Sequence, residues 1–188
     1  LLKGGMSAGD QLVLTKPIGT GVVLAGSMVG KTSAKDLLAA LDSMDLSNAK
    51  AVQTLRKFGA TSCTDITGFG LIGHLSEMTR ASNLHAALMI KNIAILPGAI
   101  ELLGRGLESS LQDNNEKALA DFDIDGGSGA SERIRVLADP QTAGGLLASM
   151  PQATAGACVN ELVSEGYAYA SIVGEVFSDG PSRIELSN

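Results

Sequence analysis

The part of this sequence best suited to chemistry is one carboxylate with glycines beyond it: Cys63-Thr64-Asp65-Ile66-Thr67-Gly68-Phe69-Gly70-Leu71-Ile72-Gly73-His74-Leu75. A short β-prone run, 60–63, delivers Asp65 into a turn holding Gly68 and Gly70. The turn then opens into a helix whose Leu71, Leu75 and Met78 recur at spacings of four and three. Glycines there permit positive φ or close approach of the backbone to a ligand, and the first N–H groups of a helix have no partner within it. Such donors suit an anion. Asp65 offers a hard oxygen of the kind Mg²⁺ takes when one or two carboxylates and phosphate oxygens share the ion. The same spacing fits a plainer role in which Asp65 or Thr67 caps the helix. One carboxylate does not make a metal site, so the residues alone leave both roles open.

Two further segments carry candidate chemistry. Gly30-Lys31-Thr32 after the apolar run 22–25 resembles the end of a phosphate-binding P-loop, G-x-x-x-x-G-K-[ST], following a strand. Ala25 occupies the place of the first glycine, and a Cβ there hinders the wrap that turns backbone N–H groups toward phosphates. In Asp139-Pro140-Gln141-Thr142-Ala143-Gly144-Gly145, Pro140 fixes φ, Gln141 and Thr142 give short polar reach, and the glycine pair permits close packing. By itself it predicts a turn joining two elements. His74 lies three residues before Glu77 on a predicted helix, the spacing of a surface ion pair, and His85 begins a strand. Neither has a second imidazole or a cysteine at ligand spacing, which argues against zinc. No Ser-His-Asp constellation emerges.

The elements that must position these residues follow from periodicity and punctuation. Residues 11–16 alternate and are rich in β formers, and Pro17 ends the run by removing a ladder donor. Residues 33–44 and 47–58 predict two helices, each opened by a serine and the second stopped by Gly59. Leu37, Leu38 and Leu41 make the apolar face of the first, and Ala51, Val52 and Leu55 that of the second; both are predicted core. Residues 84–90 predict a strand and 97–103 a short helix ended by Gly104, while 104–129 predicts a polar loop long enough to be functional or mobile. Residues 133–138 predict a strand entering the Asp139 turn, ahead of the apolar run 146–150. Residues 151–166 predict a helix with Pro151 in its first turn and Ala155, Cys158, Val159, Leu162 and Val163 inward, which makes Cys158 a small core residue. Strands at 167–173 and 183–186, joined by a turn at 179–181, close the chain.

A length of 188 residues predicts one domain, 1–188, with a real core. A formal charge of −6 and 3% aromatic residues argue against a nucleic-acid partner, which draws on clustered cations and stacking platforms. No apolar run approaches the roughly 20 residues that cross a bilayer, so no membrane association is expected. Cys63 and Cys158 are too few for a disulfide framework and predict a reducing compartment, the cytoplasm. The first residues carry no signal pattern and do not begin with Met, and the expectation is a fragment of a longer protein.

Three segments, in this order, resemble the C-terminal half of selenophosphate synthetase, also called selenide, water dikinase: Thr15-Lys16-Pro17-Ile18-Gly19-Thr20-Gly21, the Cys63 to His74 stretch, and Asp139-Pro140-Gln141-Thr142-Ala143-Gly144-Gly145-Leu146-Leu147. The closing run through Val173-Gly174-Glu175-Val176 is similar to the end of that family, so the resemblance covers nearly the whole chain. The wider superfamily of aminoimidazole ribonucleotide synthetase, thiamine monophosphate kinase and a hydrogenase maturation protein shares the fold but not the pair T-D-I-T-G-F-G and D-P-Q-T-x-G-G. Family members use ATP, selenide and water, with Mg²⁺, to make selenophosphate, AMP and phosphate, and work as dimers. The resemblance thus implies an α+β fold, a mostly antiparallel or mixed sheet packed by helices. It implies an ATP-dependent phosphotransferase that is a homodimer when complete and has Asp65 as a magnesium ligand. The family's other metal aspartates, its glycine-rich ATP segment and its reactive Cys or selenocysteine with a nearby Lys have no counterpart here, so this chain alone is expected to be inactive. Ala143 stands where many relatives have Ser, which removes any hydroxyl contact at that position. The alternatives are a related ATP-dependent synthetase or kinase, a P-loop nucleotide-binding module centred on Lys31, and a non-catalytic paralogue.

Overall fold

Strand β1 (Asp10–Leu14) carries Leu12 and Leu14 into one apolar cluster and Val13 into another, so the sheet it belongs to is covered on both faces. The structure is a computed structural model and describes residues 1–119, 123–124, 131–178 and 184–187. Within them β2 (Ser62–Asp65), β3 (His85–Met89), β4 (Asp123–Ile124), β5 (Leu146–Pro151), β6 (Ser171–Phe177) and β7 (Ile184–Ser187) join β1 in a seven-stranded mixed sheet of order β2-β5-β1-β6-β3-β7-β4. Pairings from β2 across to β3 are antiparallel, and β3 with β7 and β7 with β4 are parallel. The expected α+β class is the observed one.

Helices α1 (Thr20–Met28), α2 (Ala34–Asp45), α3 (Ala49–Lys57), α4 (Gly70–Ser82), α5 (Ala99–Gly104), α6 (Gln112–Leu119), α7 (Glu132–Arg135) and α8 (Gln152–Ser164) surround the sheet. Val22 and Val23 of α1, Leu71, Leu75 and Met78 of α4 and Leu102 of α5 fill one face. On the other, Ala51 and Leu55 of α3 meet Ala155, Cys158 and Leu162 of α8, with Tyr167 among them. Cys158 is therefore the predicted small core residue. Gly174 lies where β6 passes β3, and a Cβ there would strike the Ala87 carbonyl.

Several expectations are corrected. The run 22–25 lies inside helix α1, because the side chains of Asp139 and Gln141, distant in sequence, cap the helix N-terminus in a way that local propensity does not report. Residues 133–138 form α7 and a 3₁₀ turn (Val136–Ala138) rather than a strand. Their two arginines are drawn into tertiary bonds: Arg133 donates to the carbonyls of Ile90 at 3.1 Å and Ile93 at 2.9 Å, and Arg135 pairs with Glu108 and Glu116, each at 2.8 Å. The predicted loop 104–129 contains α6 and β4. α6 is pinned by Gln112 to the Arg135 carbonyl and by Asn115 to those of Gly68 and Ala138. Strand β6 starts at Ser171, not at 167, because Tyr167 turns away to bond α3: its hydroxyl donates to Ser47 O at 2.6 Å and accepts from Ala51 N–H at 2.9 Å.

Ser33 does cap α2, accepting from Asp36 N–H at 3.1 Å, yet Leu38 and Leu41 are 60% and 39% exposed. α2 packs on α1 rather than on the sheet and buries only Ala40. Val163 is likewise exposed on α8. The predicted turn 179–181 lies outside the described residues.

This packing separates two leucines of similar sequence context. Leu55→Ala is expected to cost about 2–5 kcal/mol in urea denaturation, and Leu38→Ser less than about 0.5 kcal/mol. Equal losses would place α2 in the core after all.

Candidate functional site

Asp65 is the last residue of β2, an edge strand. Ser62 and Thr64 are buried, and alternation turns Asp65 outward. Opposite it in register stands Leu146 of β5, and the next amide, Ile66 N–H, donates to Gly145 O at 2.9 Å. The carboxylate faces a groove of about 540 Å³ that it shares with Lys3 and Arg56 and with apolar Leu2, Val52 and Leu146. Among the described residues it has neither hydrogen bond nor ion pair.

The capping role is not observed for either residue. Helix α4 has Phe69 at its N-cap with no side-chain cap bond. Thr67 instead turns inward: its N–H donates to His74 Nε2 at 3.1 Å, and its hydroxyl lies 3.0 Å from the same nitrogen. A nitrogen that accepts a backbone N–H carries no proton, so His74 is protonated on Nδ1 when neutral. Nδ1 lies 3.3 Å from Glu77 Oε2, a close contact without hydrogen-bond alignment, and Lys3 holds that same oxygen at 2.6 Å. His74 is thus no surface partner; its side chain is 5% exposed. Burial lowers its pKa, against the opposing pull of Glu77, and keeps it neutral. Gly70, at φ +67°, is required because a Cβ would fall 2.7 Å from the Ala138 backbone.

The second motif does more than turn the chain. Gln141 Oε1 accepts from Gly19 N–H at 2.9 Å and from Thr20 N–H and hydroxyl, both at 3.1 Å, while its Nε2 donates to Asp139 Oδ2 at 2.9 Å. Asp139 Oδ2 also accepts from Gly21 N–H at 3.0 Å. Together they cap α1, whose own N-cap residue is Gly19 at φ 117°. Burial raises the Asp139 pKa to about 7, although Gln141 and the Gly21 and Val22 amides pull it down. Its Oδ1 is buried with no hydrogen-bond partner among the described residues.

The turn then locks onto its neighbours. Thr67 O accepts from Gln141 N–H at 3.0 Å, and Cβ atoms at Gly144 and Gly145 would strike the Ile66 carbonyl and the Lys16 backbone. Buried Lys16 donates to Ser43 O at 3.0 Å and Ala143 O at 3.2 Å, and Asn48 to Gly144 O at 2.9 Å. These bonds hold Ala143 at φ 49°, a conformation an alanine adopts at a cost. The three motif segments thus form one knot with Asp65 at its rim.

Lys31 lies outside this knot. It follows helix α1 rather than a strand, its N–H donates to Gly26 O at 2.8 Å, and the Thr32 hydroxyl is taken by Val23 O at 2.7 Å. The P-loop expectation is therefore corrected, since that motif needs a strand leading into its loop. His85 stacks on Phe177 at 5.2 Å. Among the described residues no group of three His, Cys, Asp or Glu could hold a metal. The donor set fits a magnesium ion shared with phosphate oxygens, water and ligands from elsewhere, and does not fit a self-contained cage.

Comparison with known proteins gives the family and the fold. The family model described as AIR synthase related protein, C-terminal domain, matches residues 7–187. Selenide, water dikinase 2 of Peptoclostridium acidaminophilum is 38% identical over 182 residues, 95% of this chain and 51% of the relative. Selenide, water dikinase of Pelobacter propionicus is 35% identical over 185 residues, 98% of this chain and 53% of the relative. The chain spans about half the length of the curated relatives it matches. Among solved structures, thiamine-monophosphate kinase from Stenotrophomonas maltophilia K279a superposes with a TM-score of 0.69 at 17% identity, covering 100% of this chain and 52% of that one. Hydrogenase maturation protein HypE in complex with ATP gives 0.65 at 17% identity, covering 95% and 45%. At such identities these two show the shared fold.

The buried cap has a pH signature. Because the Asp139 pKa rises from 3.8 to about 7 on folding, the unfolded chain loses this proton first as pH rises. Its contribution to stability is full below pH about 4 and declines until pH about 7. Denaturation midpoints for Asp139→Asn are expected to lack that decline; a parallel pH profile would contradict it.

Proposed function

Because the chain belongs to the AIR synthase related protein, C-terminal domain family, we propose that it is the C-terminal domain of a selenide, water dikinase, which makes selenophosphate, AMP and phosphate from selenide, ATP and water. The observation that carries this reading is Asp65: an outward carboxylate, without a partner among the described residues, at the end of an edge strand and held by a knot of the very segments that resemble that enzyme. The names of the curated relatives support the same activity.

In this proposal Asp65 is one ligand of a shared magnesium ion. When bound, such an ion offsets negative charge that builds during phosphoryl transfer. The chain's own part is positioning. β2 and the knot fix where the carboxylate sits, and Arg56 along the groove adds positive charge that favours a phosphate chain, Lys3 being paired with Glu77. The grip on ATP, the remaining metal ligands and the nucleophile belong to a further domain. A homodimer and a cytoplasmic setting complete the proposal, and free Cys63 and Cys158 suit a reducing compartment. A related ATP-dependent kinase would share the fold, and the paired motifs T-D-I-T-G-F-G and D-P-Q-T-x-G-G favour the selenium enzyme over it.

In the enzyme that carries this domain, Asp65→Asn is expected to lower magnesium-dependent ATP turnover at least about a hundredfold, with the melting temperature almost unchanged because the side chain is exposed. Normal turnover in the folded mutant would contradict the metal role. The 188 residues alone are expected to form no selenophosphate and to show little ATP binding by calorimetry, and Lys31→Ala should not alter the enzyme's nucleotide affinity.

A further inference from the structure

Asp65 is set by the chain on either side of it. Before it, β2 is paired with β5; immediately after it, Ile66 N–H is bonded to Gly145 O. The next residue, Thr67, decides how the chain leaves the sheet, and its N–H and hydroxyl both meet His74 Nε2, at 3.1 and 3.0 Å. His74 is one turn inside α4, buried among Leu71, Leu75 and Met78, where an aliphatic side chain would fill the space without desolvating an imidazole. What the imidazole adds is an acceptor aimed out of the helix at the turn. Its other nitrogen faces Glu77 at 3.3 Å, and Lys3 holds Glu77 at 2.6 Å, so the surroundings favour the tautomer that leaves Nε2 free to accept. The ring also lies 5.9 Å from that of Phe69, the residue that closes the turn.

We propose that His74 is a positioning residue for Asp65, a role that rests on the magnesium reading above: by holding Thr67, it fixes the direction of the chain leaving β2 and with it the orientation in which the carboxylate meets the shared ion. His74 touches neither metal nor nucleotide and acts through Thr67. The chain Lys3, Glu77, His74, Thr67 thereby links the N-terminal segment to the rim of the site.

The test compares His74→Ala, His74→Gln, Asp65→Asn and the double variant His74→Ala with Asp65→Asn, all in the enzyme that carries this domain. ATP turnover is titrated with Mg²⁺, and hydrogen exchange of the peptide covering 65–70 is followed in the metal-free proteins. His74→Ala should raise the half-saturating Mg²⁺ about tenfold, the loss of one net hydrogen bond, with kcat at saturating Mg²⁺ within about threefold of wild type, and should speed exchange at 65–70 before any metal is added. His74→Gln, whose Oε1 can accept the same N–H, should recover most of both effects. The double variant should need no more Mg²⁺ than Asp65→Asn, because the group being positioned is gone. A folded His74→Ala enzyme whose Mg²⁺ curve superimposes on wild type overturns the proposal. So does a Gln variant as impaired as Ala, or a double variant whose shift adds to that of Asp65→Asn. An unmoved curve for Asp65→Asn alone instead overturns the magnesium reading, and this proposal with it.

Discussion

The hydrogen bond from Gln141 N–H to the Thr67 carbonyl, 3.0 Å long, joins two turns that are far apart in sequence, and the rim of the site is built on that junction. On one side of it the Gln141 side chain caps α1; on the other, Thr67 is tied back to α4 through His74. Remove the junction and the helix N-terminus, the β2 end and the glycine turn lose their common reference. Gly70, Gly144 and Gly145 are required for the same reason, since the backbones they belong to pass too close for a Cβ.

The arrangement also decides which charges are available. The first amides of α1, which an open helix N-terminus would offer to phosphate, are already bonded to Asp139 and Gln141. Lys16 is buried and bonded to two carbonyls, and burial lowers its pKa. Neither is free to meet a nucleotide from solvent. Asp65 and Arg56 remain along one groove at a strand end, with Lys3 beside them already paired to Glu77 at 2.6 Å. On the proposed function, this is a place to share a metal and a phosphate chain held by another domain, with too few ligands to bind either alone.

Much of this was legible in the sequence where local rules and tertiary demand agree. The β-forming run 11–16 gives strand β1, though buried on both faces rather than alternating; Ser33 caps α2, α8 carries its inward Ala155, Cys158 and Leu162, and the helix after Gly70 follows its leucine spacing. Legibility failed where long-range bonds override local preference. The valines at 22–23 are helical because residues 139 and 141, over a hundred positions away, cap the helix. The β-branched residues at 134 and 136 sit in α7 and a 3₁₀ turn because neighbouring arginines are claimed by distant carbonyls and glutamates. Spacing alone made His74 a surface partner of Glu77. Its inward role had one signal, its place beside Leu71, Leu75 and Met78 on the buried face, which a helical projection contains.

On the proposed function, Asp65 holds magnesium for a nucleotide that another domain grips. The most direct test of this is anomalous diffraction from the complete enzyme crystallised with Mn²⁺ and a non-hydrolysable ATP analogue. A manganese peak is expected about 2.1 Å from an Asp65 carboxylate oxygen and shared with phosphate oxygens. Ordered nucleotide and metal with no peak bonded to Asp65 would contradict it.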